Sequence, residues 1–320
     1  MDENRWYDVF LENLYERYPK KSQLTQELMR ILFLEREAVY RRLRKDIIFT
    51  VHEIVKIAFS WNISLDEIIG INSGKLIFHL RPVHYINPSK QEIKILQRRV
   101  EVLEHILHAE NSDYIEVCNR LPLTLSLGFL SLYRFKIFTW AHQYNDEEKF
   151  KLYSKVVIPE NILKEFDRYH KILQHVSNTH FVLDEMIFEH FVNDVKYFHS
   201  ILLVNNEEKE RIKKELFALL VFLNKMANEG CYPETQKKVY LYISQLNIDT
   251  NYSIFFTDQL KTGRVHVFGK FDLASYDSTL VSNFKTWMNF TKRSSMQISE
   301  VNEKGRIEFF SKQRKIIENL

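Results

Sequence analysis

The stretch KSQLTQELMRILFLEREAVYRRLRKD, around Ser22–Lys45, constrains the fold more than any other part of this chain. Leu24, Leu28, Ile31 and Leu32 recur at helical spacing and make one apolar stripe. Phe33-Leu34-Glu35 interrupts it. A second short helix follows, with Ala38, Val39 and Leu43 facing inward and Arg36, Glu37, Arg41, Arg44 and Lys45 left outside. Two short helices joined by a tight turn, the second with a guanidinium-rich outer face, are what a helix-turn-helix reader of DNA requires. Arginine suits that face because its planar fork donates two bonds at once to guanine or to a phosphate.

The run LEREAVYRRLRKD resembles the turn and recognition helix of lambda-repressor-like and LacI-like regulators, with Leu34, Ala38, Val39, Arg41 and Leu43 in the matching places. Downstream, FTVHEIVKIAFSWNISLDEIIG is similar to the last two helices of the lambda-repressor-like (XRE-type) domain, where Ser64, Asp66 and Ile69 hold the S-x-D-x-x-I positions. The likeness covers roughly the first 70 residues. It departs at Phe33, where glycine is usual, at Met29, where a small residue is usual, and at Arg42, where an apolar residue is common. The resemblance implies that Arg36 and Glu37 touch base edges and that Arg41 lies near the DNA one turn on. It also implies that Tyr40, Arg44 and Lys45 hold phosphates, with Gln23 and Thr25 donating to the backbone.

Charge limits how such a unit could act. The whole chain carries +3, and its first 70 residues hold 11 Lys+Arg against 12 Asp+Glu, a net of −1. Basicity is local, in Arg41-Arg42-Leu43-Arg44-Lys45, which disfavours non-specific coating of DNA and fits a reader with a handful of phosphate contacts. Only seven Gly and six Pro occur in 320 residues, favouring long helices over a turn-rich β fold. Cys118 and Cys231 form no C-x-x-C pair, so neither a disulfide framework nor a zinc knuckle is expected. Met1 is followed at once by Asp2, Glu3 and Asn4, so no signal peptide is expected. The most apolar run, Leu121–Ala141, is broken by Arg134 and Lys136 and reads as a buried helix rather than a bilayer span. A cytoplasmic location is expected.

The flanking segments complete an N-terminal domain. Asp2–Tyr18 reads as a first helix ended by Pro19; Thr50 and Glu53 form a capping-box pattern for a fourth; Ser64 caps a short fifth. Gly70 and Gly74 mark a boundary, and Lys75–Pro88 reads as an extended connector with room for one strand. A helix from Ser89 to about His108 follows, with Ile93, Leu96, Val100, Leu103 and Leu107 at alternating steps of three and four. That seam fits a dimerisation element, and equally a helix packing inside its own domain. Helices are predicted over 113–119, 123–143, 146–156, 160–177, 180–203 and 206–228. β-rich runs are predicted at Val239–Ile243, Tyr252–Phe256 and Val265–Phe271, with turns at Asn247, Asp249-Thr250-Asn251 and Lys261-Thr262-Gly263. A helix over 277–291, a short strand near Met296–Val301 and a closing helix from Arg306 complete the chain.

No catalytic constellation emerges: G-x-S-x-G, G-x-x-x-x-G-K-[ST], G-x-G-x-x-G and H-E-x-x-H are all missing, and no cofactor is implied. His175, His180, Asp184, Glu185, Glu189, His190 and Asp194 form the densest His/acid group. The E-x-x-H pairs of helical-bundle carboxylate sites are lacking, since Ile172, Ser177 and Ile187 stand three residues before the histidines, so a polar helix face is expected there rather than a metal site. Phe129, Tyr133, Phe135, Phe138, Trp140, Phe181, Phe188, Phe191, Tyr197 and Phe198 concentrate rings that fit a core, or an effector pocket lined by some of them.

The expected architecture is therefore mainly α: a five-helix helix-turn-helix domain over residues 1–72, a linker over 73–88, and an α-rich regulatory and dimerisation domain over 89–320 with a small late β element. The expected function is that of a dimeric, non-enzymatic transcriptional regulator binding double-stranded DNA, for which a small molecule or a peptide is an allowed effector and a membrane is not a partner. The architecture also resembles that of regulators in which an XRE-type domain precedes an all-helical peptide-binding repeat domain, a scheme from which the late β segment departs. The competing reading is a protein–protein interaction module that uses the helix-turn-helix as a scaffold without binding DNA.

Overall fold

The computed structural model describes residues 5–18, 20–61, 63, 65, 68, 79–81, 88, 90–104, 107, 109–144, 152–258, 260–267 and 271–320. The chain divides into two compact units, Met1–Ile77 and Phe78–Leu320.

Unit 1 contains α1 (Arg5–Arg17), α2 (Lys21–Leu32), α3 (Arg36–Leu43) and α4 (Val51–Trp61). Its single apolar cluster joins Phe10 and Leu14 of α1, Leu24, Leu28 and Leu32 of α2, Val39 and Leu43 of α3, and Ile54, Ile57 and Trp61 of α4. The hydroxyl of Tyr7 accepts from the Phe49 N–H (3.1 Å) and donates to the Arg42 carbonyl (3.3 Å), tying α1 to the segment between α3 and α4. The capping box forms: Thr50 N–H donates to Glu53 Oε2 (2.8 Å) and Glu53 N–H to Thr50 Oγ1 (3.3 Å). The short helix expected from Ser64, with Asp66 and Ile69, lies outside the described residues apart from Leu65 and Ile68. Of the expected linker, 73–78 and 82–87 lie outside them as well.

Unit 2 overturns the mainly α, all-helical expectation. Among the described residues it holds eight strands in one mixed sheet: β1 (His79–Arg81), β2 (Ser112–Cys118), β3 (Asn178–Asp184), β4 (Lys238–Ser244), β5 (Tyr252–Thr257), β6 (Lys261–Val267), β7 (Phe271–Ser275) and β8 (Ser295–Gln297). Their order is β1-β7-β6-β5-β2-β3-β4-β8, with β2, β3 and β4 parallel and every other pairing antiparallel. The parallel strands are joined by helical crossovers, as parallel neighbours require. One face of the sheet carries α5 (Lys90–Glu104), α6 (Leu123–Ser126), α7 (Leu130–Tyr144), α8 (Glu160–Leu173), α9 (Ile187–Ser200), α10 (Asn206–Glu229) and α12 (Glu303–Glu318). The other carries α11 (Ser278–Arg293), packed through Val281 and Met288 on Ile115, Val117, Val182 and Ile254.

The segments 113–119 and 180–203 are corrected by the same physics. In β2, Tyr114 and Cys118 face the helix-rich layer while Ile115 and Val117 face α11; in β3, Phe181 and Leu183 face one way and Val182 the other. A strand buried on both faces loses the apolar–polar alternation that would announce it, and its continuous apolar run reads like a buried helix. The expected turn at Lys261-Thr262-Gly263 lies inside β6 instead. There Gly263 gives α11 room: a Cβ at this position would stand 3.1 Å from Cδ2 of Phe284.

The proposed dimer seam is consumed within unit 2. Leu96, Val100 and Leu103 are buried in the main cluster, Ile93 packs against it, and Leu107 is half exposed. Arg168 of α8 donates to Glu104 of α5 (2.7 Å) and holds the two helices together. In this conformation three of the five positions are closed to a second chain.

Candidate nucleic-acid interface and an interior cavity

The outer surface of α3 is set by what its inner side is bound to. Val39 and Leu43 are buried, and Arg42 reaches Glu53 of α4 through two bonds (Nε to Oε2 2.9 Å, Nη2 to Oε1 2.8 Å) while Nη1 donates to the Ala38 carbonyl (3.0 Å). The arginine at the usual apolar position therefore locks α3 to α4, a role that sequence reasoning missed. Glu53 three residues after Thr50 was visible, but its second partner was not.

Of the expected DNA-contacting residues, Gln23, Arg36, Glu37, Arg41, Arg44 and Lys45 are exposed and Tyr40 is half-buried. Thr25 is buried, with its hydroxyl donating to the Lys21 carbonyl (2.8 Å), so it is turned from the surface role expected of it. Arg36 donates to the Tyr40 hydroxyl (3.3 Å) and lies 5.5 Å from that ring's centroid; this bond holds the Tyr40 phenol below its ordinary range. Arg44 pairs with Glu37 (2.9 Å) and Asp46 (3.2 Å), and Lys45 with Asp8. Arg41 has no ion-pair partner among the described residues. Exposed pairs of this kind contribute about 0–1 kcal/mol, so a phosphate can displace Glu37 or Asp46 at little cost.

The turn before α3 is unusual. Phe33 takes the left-handed conformation (φ 56°, ψ 42°), its N–H donating to the Met29 carbonyl (2.9 Å), and its ring is 86% exposed. Glycine is the residue that adopts this conformation without cost, which accounts physically for its usual presence here.

Unit 2 contains a cavity of about 390 Å³ beyond the carboxyl end of β2. Its floor is the helix-rich face of β2, β5, β6 and β7, and α5, α7, α8 and α9 supply its walls. Pairing register places Glu116, Ser253 and Arg264 side by side on adjacent strands. Glu116 is buried, accepts from the Thr124 hydroxyl (2.5 Å), and is pushed by burial up to about 7. Lys136, on α7, donates to the Leu121 carbonyl and is brought by burial down to about 8. His266 Nδ1 lies 3.0 Å from Asp272 Oδ1. At the rim Asn251 accepts from the Asn119 and Arg120 N–H groups (3.0 and 3.2 Å) and donates to the Arg120 carbonyl (3.1 Å), clamping the chain as it leaves β2.

Of the ten rings singled out in the sequence, Phe135, Trp140 and Phe191 line this cavity. Tyr197 is exposed, and the remaining six pack in or against the main cluster. Lys136 was legible only as a charge interrupting an apolar run, and Glu116 as the one acid inside YIEVC. Arg264 carried no signal, because the register that brings it beside them spans the whole unit. The His/acid group does not share one helix: His180 and Asp184 lie on β3, whereas Glu189, His190 and Asp194 lie on α9. His180 stacks on Tyr240 (4.6 Å between centroids) and burial pushes its imidazole down to about 4. Among the described residues no group of three or more His, Cys, Asp or Glu is arranged to hold a metal ion, and no helix is long and apolar enough to cross a membrane.

No protein-family model matches the chain, and no curated protein does. The chain is similar to the solved structure of TrmBL2, described as an archaeal chromatin protein with a novel mode of DNA binding, at 11% identity over 88% of this chain and 83% of that one. The TM-score is 0.26, and at that value nothing about this chain follows from the likeness.

Proposed function

We propose that the protein is a non-enzymatic, site-specific transcriptional regulator that binds double-stranded DNA through unit 1, as a cytoplasmic homodimer on a roughly palindromic site. The observation that carries this reading is the two-sidedness of α3. Its inner side is locked by Val39, Leu43 and the Arg42–Glu53 pair, while its outer side offers Arg41 unpaired among the described residues and Arg36 and Arg44 in exchangeable contacts. A helix anchored on its inner side with exposed cations on its outer side is what direct readout in a major groove needs.

The test is selection from a random DNA library by the purified protein across a salt series. A palindromic motif with a steep salt slope is expected, its half-site spacing reporting the dimer geometry. Arg41→Ala should cost about 1–3 kcal/mol and relax one base pair, whereas Lys45→Ala should weaken all sequences alike. Equal losses on selected and random DNA for both variants would remove that division of roles.

A second reading, a protein-interaction scaffold, is favoured by a different observation. Val51, Val55 and Phe59 fall on one face of α4 and are all exposed, and Lys56, on the same helix, lies 5.9 Å from the centroid of the exposed Phe33 ring. Absence of any enriched sequence at any salt, with and without cell extract, would favour this reading over the first.

A further inference from the structure

We propose that the cavity of unit 2 is a binding site for a small organic anion whose acid group, a carboxylate or a phosphate, is held by Arg264 and Lys136. This inference is independent of DNA binding by unit 1.

The position is the first argument. β2 has a parallel neighbour on one side, β3, and an antiparallel one on the other, β5, and the cavity opens beyond its carboxyl end. In open α/β sheets, the crevice outside the carboxyl ends of parallel strands, where connection direction changes, is where ligands are accommodated. Ser253 stands between Glu116 and Arg264 in the cross-strand row, so a short side chain leaves space on the floor between two long ones.

Unspent charge is the second argument. A guanidinium has five N–H donors and stays protonated at any accessible pH. Arg264 makes one hydrogen bond, from Nη1 to the Tyr169 hydroxyl at 3.4 Å, and enters no ion pair among the described residues. The ammonium of Lys136 has three donors, makes one hydrogen bond, to the Leu121 carbonyl, and is likewise in no ion pair among the described residues. The acids in the lining make no direct pair with them among the described residues: Glu116 takes the Thr124 hydroxyl, Asp272 faces His266, and Asp249 accepts from the Thr250 N–H and the Tyr252 hydroxyl, so Asp272 reaches Arg264, and Glu116 and Asp194 reach Lys136, only through their field. Cations removed from bulk water and left without an anion are costly, and an anion arriving from outside satisfies them.

Shape and lining set the rest of the ligand. Leu96, Val100 and Phe166 form an apolar wall against which a carbon skeleton or ring can lie, and about 390 Å³ falls in the range of small-molecule sites. Burial raises Glu116 to about 7 and so favours its neutral form, which can meet a ligand hydroxyl without repelling the acid group as a full charge would.

The experiment is calorimetric titration of the full-length protein, at matched ionic strength and without DNA, with phenylacetate, phenyl phosphate and the neutral phenylacetamide. At least one of the two anions should bind at millimolar concentration or below, and whichever binds more tightly identifies the acid group as carboxylate or phosphate. The amide should bind roughly tenfold or more weakly, and Arg264→Gln and Lys136→Met should each weaken the anion roughly tenfold. Arg264→Lys keeps the charge without the fork and guards against a Gln variant that fails to fold; it should also lose affinity. Binding of neither anion, equal binding of anion and amide, or unchanged affinity in the folded Arg264 variants would overturn the proposal.

Discussion

Two arginines one residue apart on α3 do opposite work. Arg42 is only slightly exposed and bonded twice to Glu53, whereas Arg41 is exposed and unpaired among the described residues. Arg42→Ala should therefore destabilise unit 1 by about 2–3 kcal/mol in urea melts, because it leaves the Glu53 carboxylate half-buried without its partner. Arg41→Ala should leave those melts unchanged while lowering DNA affinity.

Glu116 makes a second residue-scale prediction, through proton linkage. Below its ordinary 4.5 the carboxyl is protonated whether the chain is folded or not. Between 4.5 and about 7 the unfolded chain has given up the proton that the folded chain still holds, so stability falls as pH rises through that window and then levels. Lys136 runs the other way: its contribution is fully present above its ordinary 10.5 and is lost as pH falls towards about 8. The two arms leave a shallow minimum near neutrality. Glu116→Gln should remove the acidic arm, shrinking the stability difference between about pH 5 and about pH 7 by on the order of 2–3 kcal/mol in urea melts.

At the scale of elements, the turn between α2 and α3 carries a measurable strain. Phe33 holds a left-handed backbone with an almost fully exposed ring, so its side chain returns little burial for the conformational cost. Phe33→Gly should raise the unfolding free energy by up to about 1 kcal/mol, while Phe33→Val should lower it by more than that, since a branched Cβ tolerates positive φ least. Both changes are read in the same urea melts.

Elements also differed in how visible they were beforehand. The helices of unit 1 were legible because each shows one apolar stripe to one small core, and α10 falls on the expected 206–228, with Asn205 and Gly230 as its caps in the structure. The late strands β4 and β5 were legible through β-branched and aromatic runs between turn residues. β2 and β3 were not, because both faces of each are buried and helical crossovers surround them, so local periodicity had nothing to report. The seam of α5 was read correctly as apolar, but periodicity alone cannot say whether the partner surface belongs to the same chain. The outer cations of α3 were visible as residues, whereas the cavity required the register of four strands.

For the whole molecule, each unit has an apolar core of its own among the described residues, and this sets the expected thermal behaviour. Every residue of the unit 1 cluster lies at or before Ile68, and those of the two unit 2 clusters lie at or beyond Leu96. Calorimetry should resolve two transitions. Leu28→Ala should shift one to lower temperature and Leu132→Ala the other, each destabilising its own unit by about 2–5 kcal/mol, and a single transition shifted by both variants would show the units to be one cooperative body. The pairing of β2 with β5 has a further consequence, for synthesis. Cys118 closes β2, yet its antiparallel partner ends at Thr257, so the pairing that joins the parallel strands to the antiparallel ones cannot be completed until 139 more residues have left the ribosome, roughly 7–28 s at ordinary elongation rates. Unit 1, whose described residues end at Ile68, can be finished during that interval, which leaves the nascent chain with a completed first unit ahead of a β2 whose β5 edge is still open.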